Sequence, residues 1–310
     1  MLLSMGFLIT LIILAVIAVI LFNFLFVFGS YLIARYDRAL TRDSKLAPGY
    51  EDTEPWPGIW ERRQTFWLEV LSCSALAILF PFGWLLPHPW KTKAYNSRPI
   101  ILVHGFGHNQ TAWLWMRKRL KKAGLGPIYS LSLKGRRGPI QRYAEQLKTL
   151  VEQVAKETGQ SNLVLIGHSM GGVVASFYAE YLALPGTVTH VITLSSPLKG
   201  TRAASLLSSA SCRQIRPGSH LVKDLAKRIE ANQSIRYCHI TSQLDNFLLP
   251  HQSGLIGADA AHQKILRSHG HTMLLFSPTV ASQVIDWLRE PTRVPPAAHI
   301  HDPNAILLPA

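Results

Sequence analysis

Acidic residues are scarce in this 310-residue chain, cysteine is nearly missing, and the first 34 residues contain no charged side chain. Each scarcity narrows the choices. With 18 Asp and Glu against 32 Lys and Arg, the net charge is +14, a balance that serves either nucleic acid or anionic lipid. The long apolar runs decide for a membrane and against nucleic acid. Cys73, Cys212 and Cys238 are the only cysteines, too few for a disulfide framework and without the paired C-x-x-C spacing of a zinc site, so no metal is implied. Internal repeats are also missing. What remains is 48% hydrophobic, enough for one large domain with extra segments.

The uncharged residues 1–34 hold a nearly pure Leu, Ile, Val, Ala and Phe run over 7–28, longer than the roughly 20 residues that cross a bilayer. They lack the basic n-region and small-x-small site of a cleavable signal, so they read as an uncleaved membrane anchor. A second apolar stretch within 66–90, uncharged over 70–90 but broken by Pro81, Pro87 and Pro89, is either a second span or an interfacial helix packed on the globular domain. Between them, the loop 35–65 carries Arg35, Arg38, Arg42, Lys45, Arg62 and Arg63 and is expected on the cytoplasmic side. Two spans place the rest of the chain outside the cytoplasm, the expected arrangement; one span leaves it inside.

From residue 98 the texture changes to alternating strand and helix patterns, which predict an α/β fold with a mostly parallel sheet and helices on both faces. Strands are expected over 99–103, 126–133, 162–166, 188–194, 235–241 and 264–267. An amphipathic helix runs from Ile140 to a stop near Gly159, an irregular helical region covers 205–229, and a helix over 280–288 closes the domain at residue 290. The Pro-rich tail 291–310 reads as an extension outside the fold.

The strand ending at Ile166 runs into Gly167-His168-Ser169-Met170-Gly171-Gly172, the G-x-S-x-G pattern of a nucleophile elbow. Glycines at 167 and 171 keep side chains out of a sharp strand-to-helix turn, so that the Ser169 hydroxyl stands above the sheet. A serine needs a base to take its proton and a carboxylate to orient and stabilise that base. Asp245 follows a strand and is the expected acid, against Asp224 on a basic helix face and Asp259 in a small-residue loop. His271 is the expected base, against His269 two residues earlier; His251 and His262 read as loop residues. The oxyanion formed on acylation needs two N–H donors. Met170 offers one and Phe106, in the loop His104-Gly105-Phe106-Gly107, offers the other, with His104 bracing that loop.

These residues, with Leu194-Ser195-Ser196-Pro197-Leu198-Lys199-Gly200-Thr201 and Pro250 after Asp245, resemble bacterial triacylglycerol lipases and related esterases of the α/β-hydrolase superfamily over about 98–290. The Ser-Ser-Pro-Leu-Lys-Gly-Thr stretch departs from that family's Thr-Pro-His-x-Gly-Thr element at two positions. The resemblance implies serine acylation, no cofactor, and a lipid or other ester as substrate; together with the apolar runs it implies a membrane-anchored lipase, esterase or phospholipase A. An acyltransferase or thioesterase with the same acyl-enzyme, or a catalytically silent lipid-binding scaffold, are the alternatives. Family members often carry a mobile cap where 205–229 lies, so Leu206, Leu207, Ile215, Leu221, Leu225 and Ile229 either face an acyl chain or form a core face. Arg117, Lys118, Arg119, Lys121 and Lys122, with Lys134, Arg136 and Arg137, are expected on loops near the mouth, where they would favour anionic lipid. If the domain is exported, Cys212 and Cys238 are candidates for a disulfide.

Overall fold

The computed structural model describes residues 5–42, 55–86, 90–91, 98–135, 137–257 and 260–290. Asp259, Arg136 and the tail 291–310 lie outside them. Seven strands form one sheet in the order β1-β3-β2-β4-β5-β6-β7. They are β1 (Trp90–Lys91), β2 (Ile100–Val103), β3 (Ile128–Leu131), β4 (Leu163–His168), β5 (Val188–Leu194), β6 (Arg236–Ser242) and β7 (Gln263–Leu266). Among the described residues only β1 pairs antiparallel. The six parallel strands match the expected ones in order and number. The near-continuous apolar sequences of the central strands β2 and β4 follow from burial on both faces.

The two faces carry separate cores. Alternate residues of β2 divide between them: Ile101 and Val103 pack with α4 (Ile140–Thr158), α5 (Met170–Tyr181) and α7 (His220–Ala231). Ile100 and Leu102 pack with α3 (Leu114–Lys122) and α8 (Pro278–Arg289). The helix α4 buries Ile140, Tyr143, Ala144, Leu147, Leu150, Val151 and Val154, the stripe read from sequence, and ends at Gly159 in the left-handed region (φ +67°). Emptying one such site, as in Leu147→Ala, costs about 2–5 kcal/mol. The short helix α6 (Ala210–Gln214) completes the cap region. Ile215, Leu221, Leu225 and Ile229 belong to the core there, whereas Leu206 and Leu207 are exposed.

Two expectations change. The basic cluster 117–122 is not a loop: it lies on α3, whose Arg117 is buried and donates to Ser130 Oγ (2.9 Å) on β3. A helix was hard to see there because its buried apolar positions, Met116 and Leu120, are interleaved with five basic residues. Cys212 and Cys238 lie in opposite cores with the sheet between them and form no disulfide.

The N-terminal segments form α1 (Met5–Arg42) and α2 (Ile59–Leu79), which pack on one another through Phe24, Tyr31, Phe66 and Trp67. Both are long and apolar enough to cross a membrane by length and composition. They differ in what they touch. Over residues 5–22, α1 has no buried side chain; that stretch is about 27 Å long at 1.5 Å per residue. Beyond it, Asn23, Val27, Ser30 and Ala34 form a buried stripe at helical spacing, and Asp37 binds Arg202 through two hydrogen bonds. Helix α2 lies along the sheet domain for most of its length. Thr65 Oγ1 donates to the Ser268 carbonyl (2.9 Å), and Leu76 joins the core of α3 and α8.

Candidate active site

Among the parallel strands β2 to β7, chain order and sheet order disagree at one place: β2 leads outward to β3, and the chain then crosses back to place β4 on the other side of β2. Loops leaving the carboxyl ends of strands diverge at such a reversal and leave a crevice. The loop after β2 carries His104 to Gly107, and the turn after β4 carries Ser169, so the reversal sets the two side by side.

Ser169 adopts φ 55° and ψ −129°, a backbone conformation that β-carbon-bearing residues rarely occupy. The neighbouring glycines make it possible. A methyl group on Gly171 would overlap the carbonyl oxygens of Val103 and His104, and one on Gly105 would lie 2.9 Å from Ser169 Cβ. The glycine at 105 is therefore what lets the β2 loop touch the elbow. His104 braces that loop at both ends: Nδ1 donates to the Gly105 carbonyl (2.8 Å) and Nε2 accepts the Leu133 N–H (2.9 Å). Phe106 and Met170, the expected oxyanion donors, both line a cavity of about 390 Å³ with Gly105, Gly107 and His108. Its opposite wall is Phe80, Gly83, Trp84 and Leu86, the turn that ends the second apolar run.

His271 is buried, and its Nδ1 donates to both Asp245 carboxylate oxygens, at 3.0 and 2.9 Å. The carboxylate is held in turn: Oδ1 accepts the N–H groups of Phe247 (2.8 Å) and Leu248 (2.7 Å). Asn246 ties the two loops, since its Oδ1 accepts the His271 N–H (3.1 Å) while its Nδ2 donates to Ser30 on α1 (2.7 Å). Arg38 of α1 donates to the Asp245 carbonyl (2.9 Å). The His271 carbonyl accepts from Nε2 of His168 (3.0 Å), whose ring centroid lies 4.7 Å from that of His271. His271 is thus bonded to the residue immediately before Ser169.

Burial alone would raise the Asp245 pKa, but the His271 charge, its hydrogen bond and the Leu248 N–H outweigh it, and Asp245 sits below the ordinary carboxylate range. For His271, burial acts downward and the Asp245 carboxylate upward, aided by Glu69; the net direction is up. His168 is pushed well down by burial and by His271, and His108 is pushed down to about 3 by burial, with His104 and His271 adding. His271 is therefore shifted upward while His168 and His108 beside it are shifted downward.

The competitors fall elsewhere. His269 turns away, with Nε2 on Ser277 Oγ (2.8 Å). Asp224 lies on the exposed face of α7 and pairs with Arg228 (3.1 Å), and His262 contacts Glu290. Two residues at the site escaped the sequence reading. His108 shares the β2 loop and was legible by proximity to His104; Glu69 of α2 was not, because nothing in the sequence links it to a histidine 202 positions later. Among the described residues no cluster of His, Cys, Asp and Glu has the arrangement of a metal site.

A model of the alpha/beta hydrolase family matches residues 100–305. Two triacylglycerol lipases, from Pseudarthrobacter phenanthrenivorans and Burkholderia plantarii, are each 33% identical over 125 residues. That match covers 37% of this chain and 38% and 34% of those proteins, so the chain spans little more than a third of the relatives' length. In structure, the chain is similar to Aspergillus fumigatus lipase B, with TM-score 0.56 and 18% identity over 63% of this chain and 53% of the other. It is also similar to the mature Bacillus licheniformis lipase BlEst2, with TM-score 0.54 and 14% identity over 64% of this chain and 97% of the other. At those identities the structural likeness speaks for the fold.

Proposed function

Because the chain belongs to the alpha/beta hydrolase family, we propose that it is a membrane-anchored serine hydrolase acting on carboxylic esters of lipids. The observation that carries this reading is the buried His271–Asp245 pair bonded, through His168, to a serine held at positive φ on the elbow. In the reaction so inferred, His271 Nε2 takes the Ser169 proton as Oγ attacks the ester carbonyl. The N–H groups of Phe106 and Met170 hold the oxyanion. The alcohol leaves with the proton from His271, and water, activated by the same imidazole, releases the acid and regenerates Ser169. The chain's own groups supply every proton transfer.

The relatives named as triacylglycerol lipases support an acyl ester of a lipid as the substrate class. The apolar side chains of Phe80, Trp84 and Leu86 that line the cavity beside Phe106 and Met170 support it too, since an acyl chain needs an apolar surface to lie against. We infer further that residues 5–22 of α1 cross the membrane, while α2 belongs to the body of the hydrolase. The buried carboxylate of Glu69 at the middle of α2, facing the sheet domain, argues against lipid on that face. With one span, the hydrolase shares the side of the basic loop, the cytoplasm.

The test uses the full-length chain in detergent micelles, with a p-nitrophenyl ester as substrate and a fluorophosphonate probe. Hydrolysis and labelling that both vanish in Ser169→Ala are expected. Labelling with acyl transfer to an added alcohol in preference to water would point to an acyltransferase, and a folded protein that neither labels nor hydrolyses would point to a scaffold.

A further inference from the structure

Glu69 is fully buried on α2, outside the hydrolase segment proper, yet its carboxylate is spent on the residues around His271. Oε1 accepts the Thr272 N–H (2.8 Å) and Oε2 accepts the Met273 N–H (2.8 Å). The Cys73 thiol, one turn along α2, faces Oε1 (3.8 Å) and Thr272 Oγ1 (3.5 Å). On the other side of the histidine, Gly270 packs so closely that a β-carbon there would collide with the Glu69 carboxylate, its Cδ at 2.6 Å. The one side chain therefore straddles positions 270, 272 and 273. A buried carboxylate is costly unless fully hydrogen-bonded, so its presence in the otherwise uncharged part of α2 that follows Arg63 calls for a role that an apolar contact would not fill.

Resting on the serine-hydrolase reading above, we propose that Glu69 is the positioning residue for the His271 base. From α2 it pins the backbone that presents the imidazole to Ser169, and it sets a negative charge beside the imidazolium formed at each proton transfer. The helix that follows the membrane anchor is then a working part of the site. His271 is faced by Asp245 from the loop after β6, by His168 from β4, by His108 from the loop after β2, with His104 behind it, and by Glu69 from α2. Arg38 and Tyr31 of α1 lie next to Asp245, and Cys73 lies next to Glu69. Asp245 and Glu69 both act on His271 in the upward direction; burial raises the Glu69 pKa in turn, while the Thr272 and Met273 N–H groups and His271 act to hold it down.

The experiment compares Glu69→Gln, Glu69→Asp and Thr65→Val with wild type, normalising rates to sites titrated by the fluorophosphonate so that loss of folded protein does not count. Glu69→Gln is expected to lower kcat per titrated site by about 10–100-fold, the range for residues that orient a ligating or catalytic group. KM should change little. Removing the negative charge lowers the His271 pKa, so the acid limb of kcat/KM should move to lower pH. Glu69→Asp, which keeps the charge but shortens the reach, should lower kcat and leave the limb near its wild-type position. Thr65→Val, which loses the α2 bond to Ser268 without touching a charge, should leave the limb in place. A Glu69→Gln or Glu69→Asp protein with wild-type kcat per titrated site, or a limb that Glu69→Gln does not move, overturns this inference alone. Hydrolysis at the wild-type rate in Ser169→Ala overturns the functional reading, and the inference with it.

Discussion

Replacing Asp245 by Asn is the sharpest single perturbation of the proposed machinery, because the surroundings dictate how the amide must sit. Oδ1 of Asp245 accepts two backbone N–H groups, from Phe247 and Leu248. An Asn side chain must therefore keep its carbonyl oxygen there, since its NH2 would face two donors. The NH2 is forced into the Oδ2 position, 2.9 Å from His271 Nδ1, where it donates. With that donor on one side, and the Asn oxygen 3.0 Å from Nδ1 already taken by two N–H groups, the favoured tautomer accepts at Nδ1 and carries its proton on Nε2, the nitrogen that has to take the Ser169 proton. The backbone bonds survive, so the fold should be retained while the base is blocked. In serine hydrolysis a wrong tautomer of this kind lowers kcat by about 10⁴, equivalent to about 5.4 kcal/mol at 1.36 kcal/mol per decade. The assay is p-nitrophenyl ester turnover, with thermal unfolding as the check on folding. In wild type the acid limb of kcat/KM should have its midpoint above the ordinary histidine value of about 6.5, because Asp245 and Glu69 together raise His271. A folded Asp245→Asn protein within tenfold of wild-type kcat would refute the tautomer argument and the assignment of Asp245.

Other substitutions separate the neighbours. His271→Ala should lose activity by orders of magnitude, whereas His269→Ala, which removes only a contact to Ser277, should keep kcat within a few-fold; the reverse pattern would identify the wrong base. Gly171→Ala places a methyl group against the carbonyl oxygens of Val103 and His104, both backbone atoms, so a loss of stability of about 1–3 kcal/mol or more is expected in a denaturant titration, and an unchanged midpoint would mean the elbow is looser than it looks. Alkaline phosphatase and green fluorescent protein, fused separately after Glu290, report sidedness. Fluorescence without phosphatase activity is expected for a single span through residues 5–22, and phosphatase activity without fluorescence would restore the two-span hairpin.

The fold was legible from the sequence because parallel strands buried on both faces leave runs, such as 100–103 and 163–166, that are too short for a core helix and too apolar for a surface loop. The elbow announced itself through Gly167, Ser169 and Gly171, since a sharp strand-to-helix turn demands small residues at fixed spacing. Candidate roles for Phe106, Met170, Asp245 and His271 followed from loop position after each strand. Distances between loops are another matter. Whether His269 or His271 meets Asp245 depends on how the chain turns after β7, and Cys212 and Cys238 are separated only because the sheet runs between them. Most of all, the sequence presented the first apolar run as an anchor and the second as either a span or a helix packed on the globular domain, without showing which of their side chains reach the site. Hydropathy averages over a helix and is blind to one face. The tertiary structure turns Ser30, Arg38 and Glu69 toward the loops of Asp245 and His271, because those loops present backbone N–H and carbonyl groups and an Asn246 amide that need partners, and these two helices lie over them to supply the partners.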